Sequence, residues 1–320
     1  VVRGVQNYEN ILIFSRIIPL LQVGTNRMQN SKLPTVRVGI DIGGTFTDFV
    51  IALVEVESPH RRRILTHKEP SDPSAPEKAV VRGLKKINAQ LISFLDFPVK
   101  KFHKQIIHGS TVATNALLER KGAATALITT EGFRDILAIG RQNRPRLYDL
   151  SAAPPPPLVT DRLRLEVRER VDQTGQVLTS LDHADAARLL PVLQESGVEA
   201  VAVCLLFSFL RPDHELEIAA MLRGQGYLVS ASAEILPEFR EYERTSTTVI
   251  NAYVAPVMDR YLGRLEAAVA GADLRIMQSN GGSIRPAQAR REAVRGILSG
   301  PAGGVVGARY VAARAGFDRL

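Results

Sequence analysis

The alternation of apolar and polar positions is clearest between Val36 and Glu55, which read VRVGIDIGGTFTDFVIALVE. Two apolar, β-branched runs flank Gly43-Gly44, and this pattern predicts a strand, a tight turn and a second strand. Glycine suits the turn because it tolerates positive φ and lets a ligand approach the backbone closely. A P-loop would need a Lys-Ser/Thr pair, and a dinucleotide fingerprint would open a helix, so both alternatives fit this hairpin badly.

The next eighty residues mix charged stretches with short segments whose apolar residues have either the helical or the strand spacing. Pro76 suits the first turn of a helix, and Ser110 and Thr111 are good helix caps. The predicted elements are a loop at 61–76, a helix at 77–91, a strand at 105–107, a helix that begins after Thr111 and ends at Gly122, a strand at 124–130 and a short helix at 132–139.

The second half of the chain alternates between helical and extended patterns, which predicts an α/β fold with parallel strand pairing. Pro154–Pro157 must be extended and form a predicted connector. The predicted elements are a strand at 163–171, helices at 182–196 and 212–225, strands at 198–209 and 227–233, a long helix at 239–270, a strand at 274–278, a short helix at 287–293, and a loop, SGPAGG, before a small-residue helix at 305–315.

Composition narrows the class of protein. The chain has 320 residues, 45% hydrophobic and 23% charged, which is typical of a globular protein of about two domains. The net charge of +8 is scattered rather than arranged in a basic stripe with aromatics, so nucleic-acid binding is not predicted. The single cysteine, Cys204, cannot form an internal disulfide, which fits a reducing cytoplasm.

The apolar stretch 11–23 is interrupted by Arg16 and Pro19 and is shorter than the ~20 residues that span a bilayer, so no membrane segment is predicted. We expect that residues 1–27 are not native and that Met28 is the true start. The predicted organisation is an N-terminal extension at 1–35, an N-terminal domain at 36–215 and the truncated start of a core domain at 216–320.

Polar groups gather at the tip of the predicted hairpin. Asp41 lies on the incoming strand, Thr45 and Thr47 follow the turn, and Asp48 lies on the outgoing strand. Exposed N–H groups and hydroxyls suit phosphate oxygens, and a carboxylate suits Mg²⁺ through its coordinated waters. The alternative is an ordinary Gly-Gly hairpin with polar residues at its tip.

Two further clusters follow predicted strands. The stretch HGSTVATNAL places His108, Thr111 and Asn115 at a strand-to-helix junction, where α/β sheets bind ligands. The stretch QSNGG at 278–282 offers amide side chains that suit a substrate carbonyl or ribose. Helix capping and a plain turn, respectively, explain these clusters equally well. The chain contains neither a metal-ligand spacing nor a G-x-S-x-G elbow, so a covalent Ser or Cys mechanism has no support.

Six motifs occur in order along the chain: GIDIGGTFTDFV, HGSTVATNALLERKGAATALITTEGFRDIL, GRQNRPRLYDL, NAYVAPVMDRYLGRLE, IMQSNGG and LSGPAGGVVGA. Together they resemble the hydantoinase A/5-oxoprolinase family, which includes acetone and acetophenone carboxylase subunits. The resemblance runs from about Val36 to the end of the chain. It implies an α/β fold in which an actin-like ATPase (ribonuclease H-like) lobe is opened by a β-hairpin phosphate loop, with additional α/β segments and an incomplete second lobe.

The resemblance also implies an activity. The family's second phosphate loop and adenosine-binding segment find no match in these 320 residues, so the fragment itself is expected to be inactive. The family opens a cyclic amide, such as a hydantoin or 5-oxoproline, with ATP and Mg²⁺ by phosphorylating the ring carbonyl. A B-type subunit is the implied partner, in a hetero-oligomer.

The family's roles transfer to residues of this chain by motif. Asp41 would hold Mg²⁺ through water, and Asp48 would take a metal or orienting role. The implied catalytic residues are Asp41, Asp48 and His108; the phosphate-binding residues are Gly43, Gly44, Thr45 and Thr47; and the substrate-lining residues are Thr111, Asn115, Gln278, Asn280 and Gly281.

Three competing functions remain open. A carboxylase subunit would use the same phosphorylation chemistry on a ketone enol or bicarbonate. A non-catalytic actin-like module would bind a nucleotide or a partner without turnover. A sugar or acetate kinase shares the first loop but lacks the contexts of HGSTVATNAL and SGPAGG.

Overall fold

A computed structural model of the chain describes residues 35–54, 62–72, 75–94, 103–143, 146, 148–149, 151, 155–317 and 319. The expectation about residues 1–27 lies outside the described residues. Two compact units divide the fold: the first takes its residues from 1–114, 259–290 and 295–320, and the second from 115–258 and 291–294. The domain boundaries expected at 35 and 215 remain predictions.

The first unit is built around a six-stranded sheet with the order β12-β11-β4-β1-β2-β3. Its elements are β1 (Thr35–Ile42), β2 (Phe46–Val54), β3 (Arg62–Pro70), α1 (Pro76–Phe94), β4 (His103–Ser110), the start of α2 (Val112–Leu118), β11 (Asp273–Met277), β12 (Ser283–Ile284), α8 (Pro286–Arg291) and α9 (Ser299–Arg314).

The predicted hairpin is confirmed as β1 and β2, which pair antiparallel with Gly39 opposite Val50. Strand β4 runs parallel to β1, and β11 runs parallel to β4. The apolar residues on one face of β1, such as Val38 and Ile40, are buried, and β1 lies in the middle of the sheet between β4 and β2.

The loop expected at 61–76 is wrong, because Arg62–Pro70 forms β3 and pairs antiparallel with β2 along its whole length. The segment is charged because it is an edge strand, and charged residues there discourage pairing with other chains. Its one carboxylate, Glu69, is buried, and the Lys86 amine lies 2.6 Å away. The charged residues of this segment therefore indicate an edge strand rather than a loop.

The second unit contains a parallel sheet with the order β10-β9-β5-β6, as the alternating pattern predicts. Its elements are β5 (Thr125–Thr130), α3 (Ile136–Ile139), β6 (Arg164–Val167), β7 (Arg170–Val171), β8 (Val177–Thr179), α4 (His183–Glu195), β9 (Ala200–Cys204), α5 (Asp213–Gly224), β10 (Leu228–Ala231), α6 (Ser232–Ile235) and the first part of α7 (Glu241–Ala268). Apolar residues of β5 and β9, including Leu127 and Val201, form its core.

Several strand ends differ from the expectation. The strand expected at 198–209 ends at Cys204, because the next amide, of Leu205, bonds to the Glu215 carboxylate instead of continuing the ladder. The strand expected at 163–171 is split, and its second part, β7, pairs with β8 in a separate hairpin.

The loop expected at SGPAGG is also wrong, because α9 begins at Ser299 and includes the whole motif. Pro301 lies in the first turn of α9, where a missing amide hydrogen costs nothing. None of the helices among the described residues combines the length and apolar character that a membrane span requires. The mixed α/β class with parallel strands is confirmed.

Candidate active site at the carboxyl edge of the first sheet

The polar clusters predicted from the sequence lie on neighbouring strands of the first sheet. Strands β1, β4 and β11 are parallel neighbours, so their carboxyl ends lie at the same edge. In this register Asp41 lies opposite Gly109, and Ile42 lies opposite Ser110. The hairpin turn, the HGST stretch and the QSNGG stretch therefore meet at one edge, which we call the carboxyl edge of the first sheet.

The hairpin turn is held by three bonds that leave part of its backbone unused. The Gly43 amide donates to the Phe46 carbonyl at 2.9 Å. The Ser71 hydroxyl donates to the Gly43 carbonyl at 2.8 Å, and the Ser71 amide donates to the Thr45 carbonyl at 2.9 Å. Among the hydrogen bonds of the described residues, none uses the amides of Gly44 and Thr45, and both residues are exposed.

The two glycines serve the turn through their small size. Contrary to the expectation, neither Gly43 nor Gly44 has a positive φ. A methyl group on Gly43 would lie 3.1 Å from the Phe46 carbonyl oxygen, whereas one on Gly44 would meet nothing within 4 Å. Gly44 thus leaves its amide open to a ligand, and two adjacent unbonded amides suit phosphate oxygens.

Thr47 is oriented inward. Its side chain is fully buried, and its hydroxyl lies 3.0 Å from the Ser71 hydroxyl, which in turn holds the Gly43 carbonyl. Thr47 therefore supports the turn from within. Ser71 was missed from the sequence because it falls in the segment expected to be a loop, 24 residues from Thr47.

Asp41 and Asp48 lie directly opposite each other on β1 and β2. Side chains in such a pair leave the same face of the sheet with their Cβ atoms about 5 Å apart, and like charges there repel. The Lys68 amine lies 3.7 Å from Asp48 and balances part of this charge. A Cβ on Gly109 would lie 3.5 Å from the Asp41 carboxylate, so glycine at this position leaves space beside that carboxylate.

This arrangement fits a cation held mostly by water. Within the described residues, no group of three or more His, Cys, Asp or Glu side chains is placed to hold a metal ion. One or two carboxylates that contact the waters of Mg²⁺ are a common way to bind that ion beside a phosphate. The Asp41–Asp48 pair supplies such carboxylates.

His108 lies on the other face of the sheet from Asp41, because its partner in β1 is Ile40. The ring is fully buried, and its Nε2 atom lies 2.6 Å from the Tyr261 hydroxyl. Burial lowers the pKa of His108 to about 4, although a hydrogen bond with the Ile40 backbone partly offsets this. His108 is therefore neutral near pH 7, and its catalytic role remains a prediction.

The HGST stretch is bonded to both of its neighbours. The Thr111 hydroxyl donates to the Ile42 carbonyl at 3.4 Å, and the Thr114 hydroxyl accepts from the Leu298 amide at 3.1 Å. The Ser299 hydroxyl donates to the Ser110 carbonyl at 3.4 Å, so the start of α9 joins this edge. Asn115 belongs to the second unit and is exposed.

The QSNGG stretch forms a tight turn after β11. The Gln278 amide donates to the Gly282 carbonyl at 2.8 Å, and the Gly282 amide donates to the Asn280 side chain at 2.9 Å. Gly281 has a φ of +83°, and a methyl group there would come within 2.8 Å of Val306. The turn thus requires glycine at Gly281, while Asn280 is exposed and Gln278 is almost buried.

Comparison with known proteins identifies the family of the chain. The hydantoinase/oxoprolinase N-terminal region matches residues 37–226, and the hydantoinase/oxoprolinase family matches residues 244–320. Caprolactamase subunit alpha of Pseudomonas jessenii is 36% identical over 299 residues, which are 89% of this chain and 41% of the relative. 5-Oxoprolinase 1 of Arabidopsis thaliana is 34% identical over 298 residues, which are 85% of this chain and 23% of the relative.

Solved structures give the same result. The ATP-dependent caprolactamase of Pseudomonas jessenii is 35% identical with a TM-score of 0.74, over 88% of this chain and 41% of that one. Nucleotide-free acetone carboxylase is 26% identical with a TM-score of 0.75, over 89% of this chain and 41% of that one. Both likenesses are consistent with an actin-like ATPase fold. The chain spans about two fifths or less of these relatives, and it belongs to the hydantoinase/oxoprolinase family.

Proposed function

We propose that the whole protein uses ATP to open a cyclic amide, through phosphorylation of the ring carbonyl. The observation that carries this proposal is the pair of unbonded amides, Gly44 and Thr45, beside the paired carboxylates Asp41 and Asp48. The relatives support the reaction class, since a caprolactamase that is ATP-dependent and a 5-oxoprolinase are both similar to this chain.

The phosphate-binding role falls to the hairpin turn. The amides of Gly44 and Thr45 donate to phosphate oxygens, while Thr47 and Ser71 keep the turn in place from within. Asp41 and Asp48 hold the waters of Mg²⁺ on the adjacent face. Catalysis of phosphoryl transfer consists mainly of such positioning and charge neutralisation.

The substrate-binding role falls to the neighbouring strand ends. Thr111, Gln278 and Asn280 offer polar groups to the ring amide, with Gly281 shaping the turn. The substrate role of Asn115 stays a prediction.

Bound ATP supplies the γ-phosphoryl group, which makes the ring carbonyl carbon a better electrophile for water. ADP would leave when the phosphoryl group moves to the ring oxygen. Water would then add to the ring carbon, and the C–N bond would break as the ring nitrogen takes a proton. A second water would release inorganic phosphate from the resulting acyl phosphate and leave the carboxylate.

We further propose that the protein works in the cytoplasm with a second subunit of the B type, as a hetero-oligomer. The single cysteine fits a reducing compartment, and the similar caprolactamase is named as a subunit alpha. A group from such a partner could serve as the general base for water.

A second candidate is an ATP-dependent ketone carboxylase subunit. The observation behind it is the TM-score to acetone carboxylase, 0.75, which is practically the same as the 0.74 to the caprolactamase. The backbone therefore does not separate the two reactions, although the sequence identity of 35% against 26% favours the cyclic amide.

The test is phosphate release by the whole protein with its partner subunit, measured with hydantoin, 5-oxoproline or caprolactam, and separately with a ketone and bicarbonate. Phosphate release coupled to ring opening is the expected result. Coupling only to the ketone and bicarbonate would assign the protein to the carboxylases. Nucleotide binding without turnover on any substrate would leave a non-catalytic module and overturn the proposal.

A further inference from the structure

Three buried side chains lie together behind the carboxyl edge of the first sheet, and the proposed chemistry does not use them. The Tyr261 hydroxyl lies 2.6 Å from Nε2 of His108, and Tyr261 is 2% exposed. Ser110, two residues after His108, is also buried, and its hydroxyl partly lowers the pKa of Tyr261. We call these residues the Ser110–Tyr261–His108 chain.

The protons in this chain have one arrangement near neutral pH. Burial raises the pKa of Tyr261 well above its ordinary value, and the Ser110 hydrogen bond offsets only part of this increase. The phenol therefore keeps its proton beside the neutral His108 ring. The Ser110 hydroxyl oxygen accepts from the Val112 amide at 3.2 Å.

The chain fixes the backbone that faces the carboxylate site. Gly109, which lies between His108 and Ser110, is opposite Asp41 in β1. Because the His108 side chain next to Gly109 is held by a buried phenol, the peptide groups of this segment cannot rotate freely. The Ser110 carbonyl also accepts from Ser299 of α9, so the same segment sets the position of that helix start.

We propose that Tyr261 is a positioning residue: its hydroxyl holds the His108–Ser110 backbone against β1 and thereby sets the spacing between that backbone and Asp41. This inference rests on the proposed function, because it concerns the same edge of the sheet. It assigns His108 to the support of the site, since the His108 ring lies on the face opposite to Asp41.

The effect should appear in kcat rather than in nucleotide binding. The Gly44 and Thr45 amides belong to the hairpin, which Tyr261 does not contact through its hydroxyl. A shift of about 1 Å in a reacting group can cost about 10²-fold in rate. We therefore expect Tyr261→Phe to lower kcat by about ten- to a hundredfold while the KM for ATP changes less than about twofold.

A double-mutant cycle tests whether the chain acts as one unit. Ser110→Ala removes the hydroxyl that acts on the phenol, and the double variant with Tyr261→Phe should lose no more kcat than the stronger single variant. Tyr253→Phe is the matched control, because Tyr253 is a buried tyrosine of the same helix whose hydroxyl has no hydrogen bond among the described residues. Its kcat should equal that of the wild type.

Amide hydrogen exchange gives a readout that does not depend on turnover. Amides in the segment 108–112 should exchange at least about tenfold faster in Tyr261→Phe than in the wild type, and should not change in Tyr253→Phe. A variant that is merely less stable would speed exchange across the whole sheet, including β2.

The outcomes separate the two proposals. If the wild type releases no phosphate with any substrate, the proposed function fails, and exchange alone still tests the chain. If the wild type turns over but Tyr261→Phe matches Tyr253→Phe in both kcat and exchange, the positioning role is overturned and the proposed function stands. Additive losses of kcat in the double variant would also overturn it, because they would show two independent contacts.

Discussion

The two larger sheets among the described residues end in polar carboxyl edges, and the two edges differ in how their polar atoms are bonded. At the edge of the first sheet, the amides of Gly44 and Thr45 make no hydrogen bond among the described residues. At the edge of the second sheet, the buried Glu215 carboxylate accepts from the amides of Leu205 and Ala233, at 2.9 and 2.6 Å. One edge keeps donors available, and the other uses them internally.

The second edge is completed by a buried arginine. Arg244 donates to the Leu205 carbonyl at 2.7 Å and to the hydroxyls of Ser208 and Ser232, and it lies 4.0 Å from Glu215. Burial raises the pKa of Glu215, while the amides of Leu205 and Ala233 offset part of the increase. A buried charge is tolerated only with such partners, so this network holds β9, α5 and α7 together.

The difference in hydrogen bonding distinguishes a candidate ligand site from a purely structural edge in the same kind of sheet. Both edges lie where parallel strands end, which is the usual location of ligands in α/β folds. Location alone therefore predicts two sites. The first edge is the better candidate because its donors are available, its glycines leave space, and its two carboxylates lie side by side.

The sharpest test of the first edge is Asp41→Asn in the whole protein with its partner subunit. We expect phosphate release to fall about 10³-fold, because a carboxylate that orients Mg²⁺ contributes several kcal/mol to transition-state stabilisation. Steady-state phosphate release is the measurement, with the thermal midpoint as a check on folding. Asp213→Asn, at an exposed position that begins α5, is the matched control and should retain wild-type turnover. Full turnover in Asp41→Asn would remove Asp41 from the site.

The second edge is tested by Arg244→Met, which breaks the buried network. We expect the free energy of unfolding to fall by about 3–5 kcal/mol, since the Glu215 charge is left without its partner. Urea unfolding measures this, and turnover per folded molecule should not change. Arg223→Met is the control, because Arg223 pairs with Glu234 on the surface and its loss should cost about 1 kcal/mol or less. Lost turnover at full stability would mean that the second edge is also a site.

The hairpin and the polar clusters were predictable from the sequence because their signals are local. Two apolar runs around Gly43-Gly44 define a turn within 20 residues, and strand ends followed by polar residues mark the edge of a sheet. The parallel pairing of β5, β9 and β10 was likewise visible as alternation of helices and strands. Local patterns thus gave the main elements and the strands that carry the site.

The contacts that support the site could not be predicted, because they join distant residues. His108 and Tyr261 are 153 residues apart, and Ser110 and Ser299 are 189 apart. No periodicity indicates which of the seven tyrosines meets His108. The edge strand β3 was missed for a different reason: its charges protect an edge, and the same composition is common in loops.

A smaller effect is expected for His108, which supports the first edge: it should change the pH dependence of stability. His108 has a pKa of about 4 in the folded protein, below its ordinary 6.5, because it is buried. Well above pH 6.5 the His108 ring is neutral in both the folded and the unfolded protein. As the pH falls from 6.5 towards 4, the ring takes up a proton in the unfolded protein but not in the folded protein. The free energy of unfolding should therefore fall by about 3 kcal/mol between pH 6.5 and 4.

Urea unfolding at a series of pH values measures this contribution, and His108→Gln should remove it relative to the wild type. An unchanged slope in His108→Gln would mean that His108 titrates normally, and the Tyr261 contact would then not hold a neutral ring.

The smallest expected effect comes from adding a single methyl group, which should change ligand binding at Gly44 without lowering the stability of the fold. Gly44 and Gly224 both lack a positive φ, and a methyl group on either would meet nothing within 4 Å. Alanine at both positions should leave the free energy of unfolding within about 1 kcal/mol of the wild type or raise it. Only Gly44→Ala should raise the KM for ATP, by about tenfold or 1.4 kcal/mol, because its methyl group occupies the space beside the free amides. Equal KM values for the two variants would mean that the open space at Gly44 belongs to the turn and not to a phosphate.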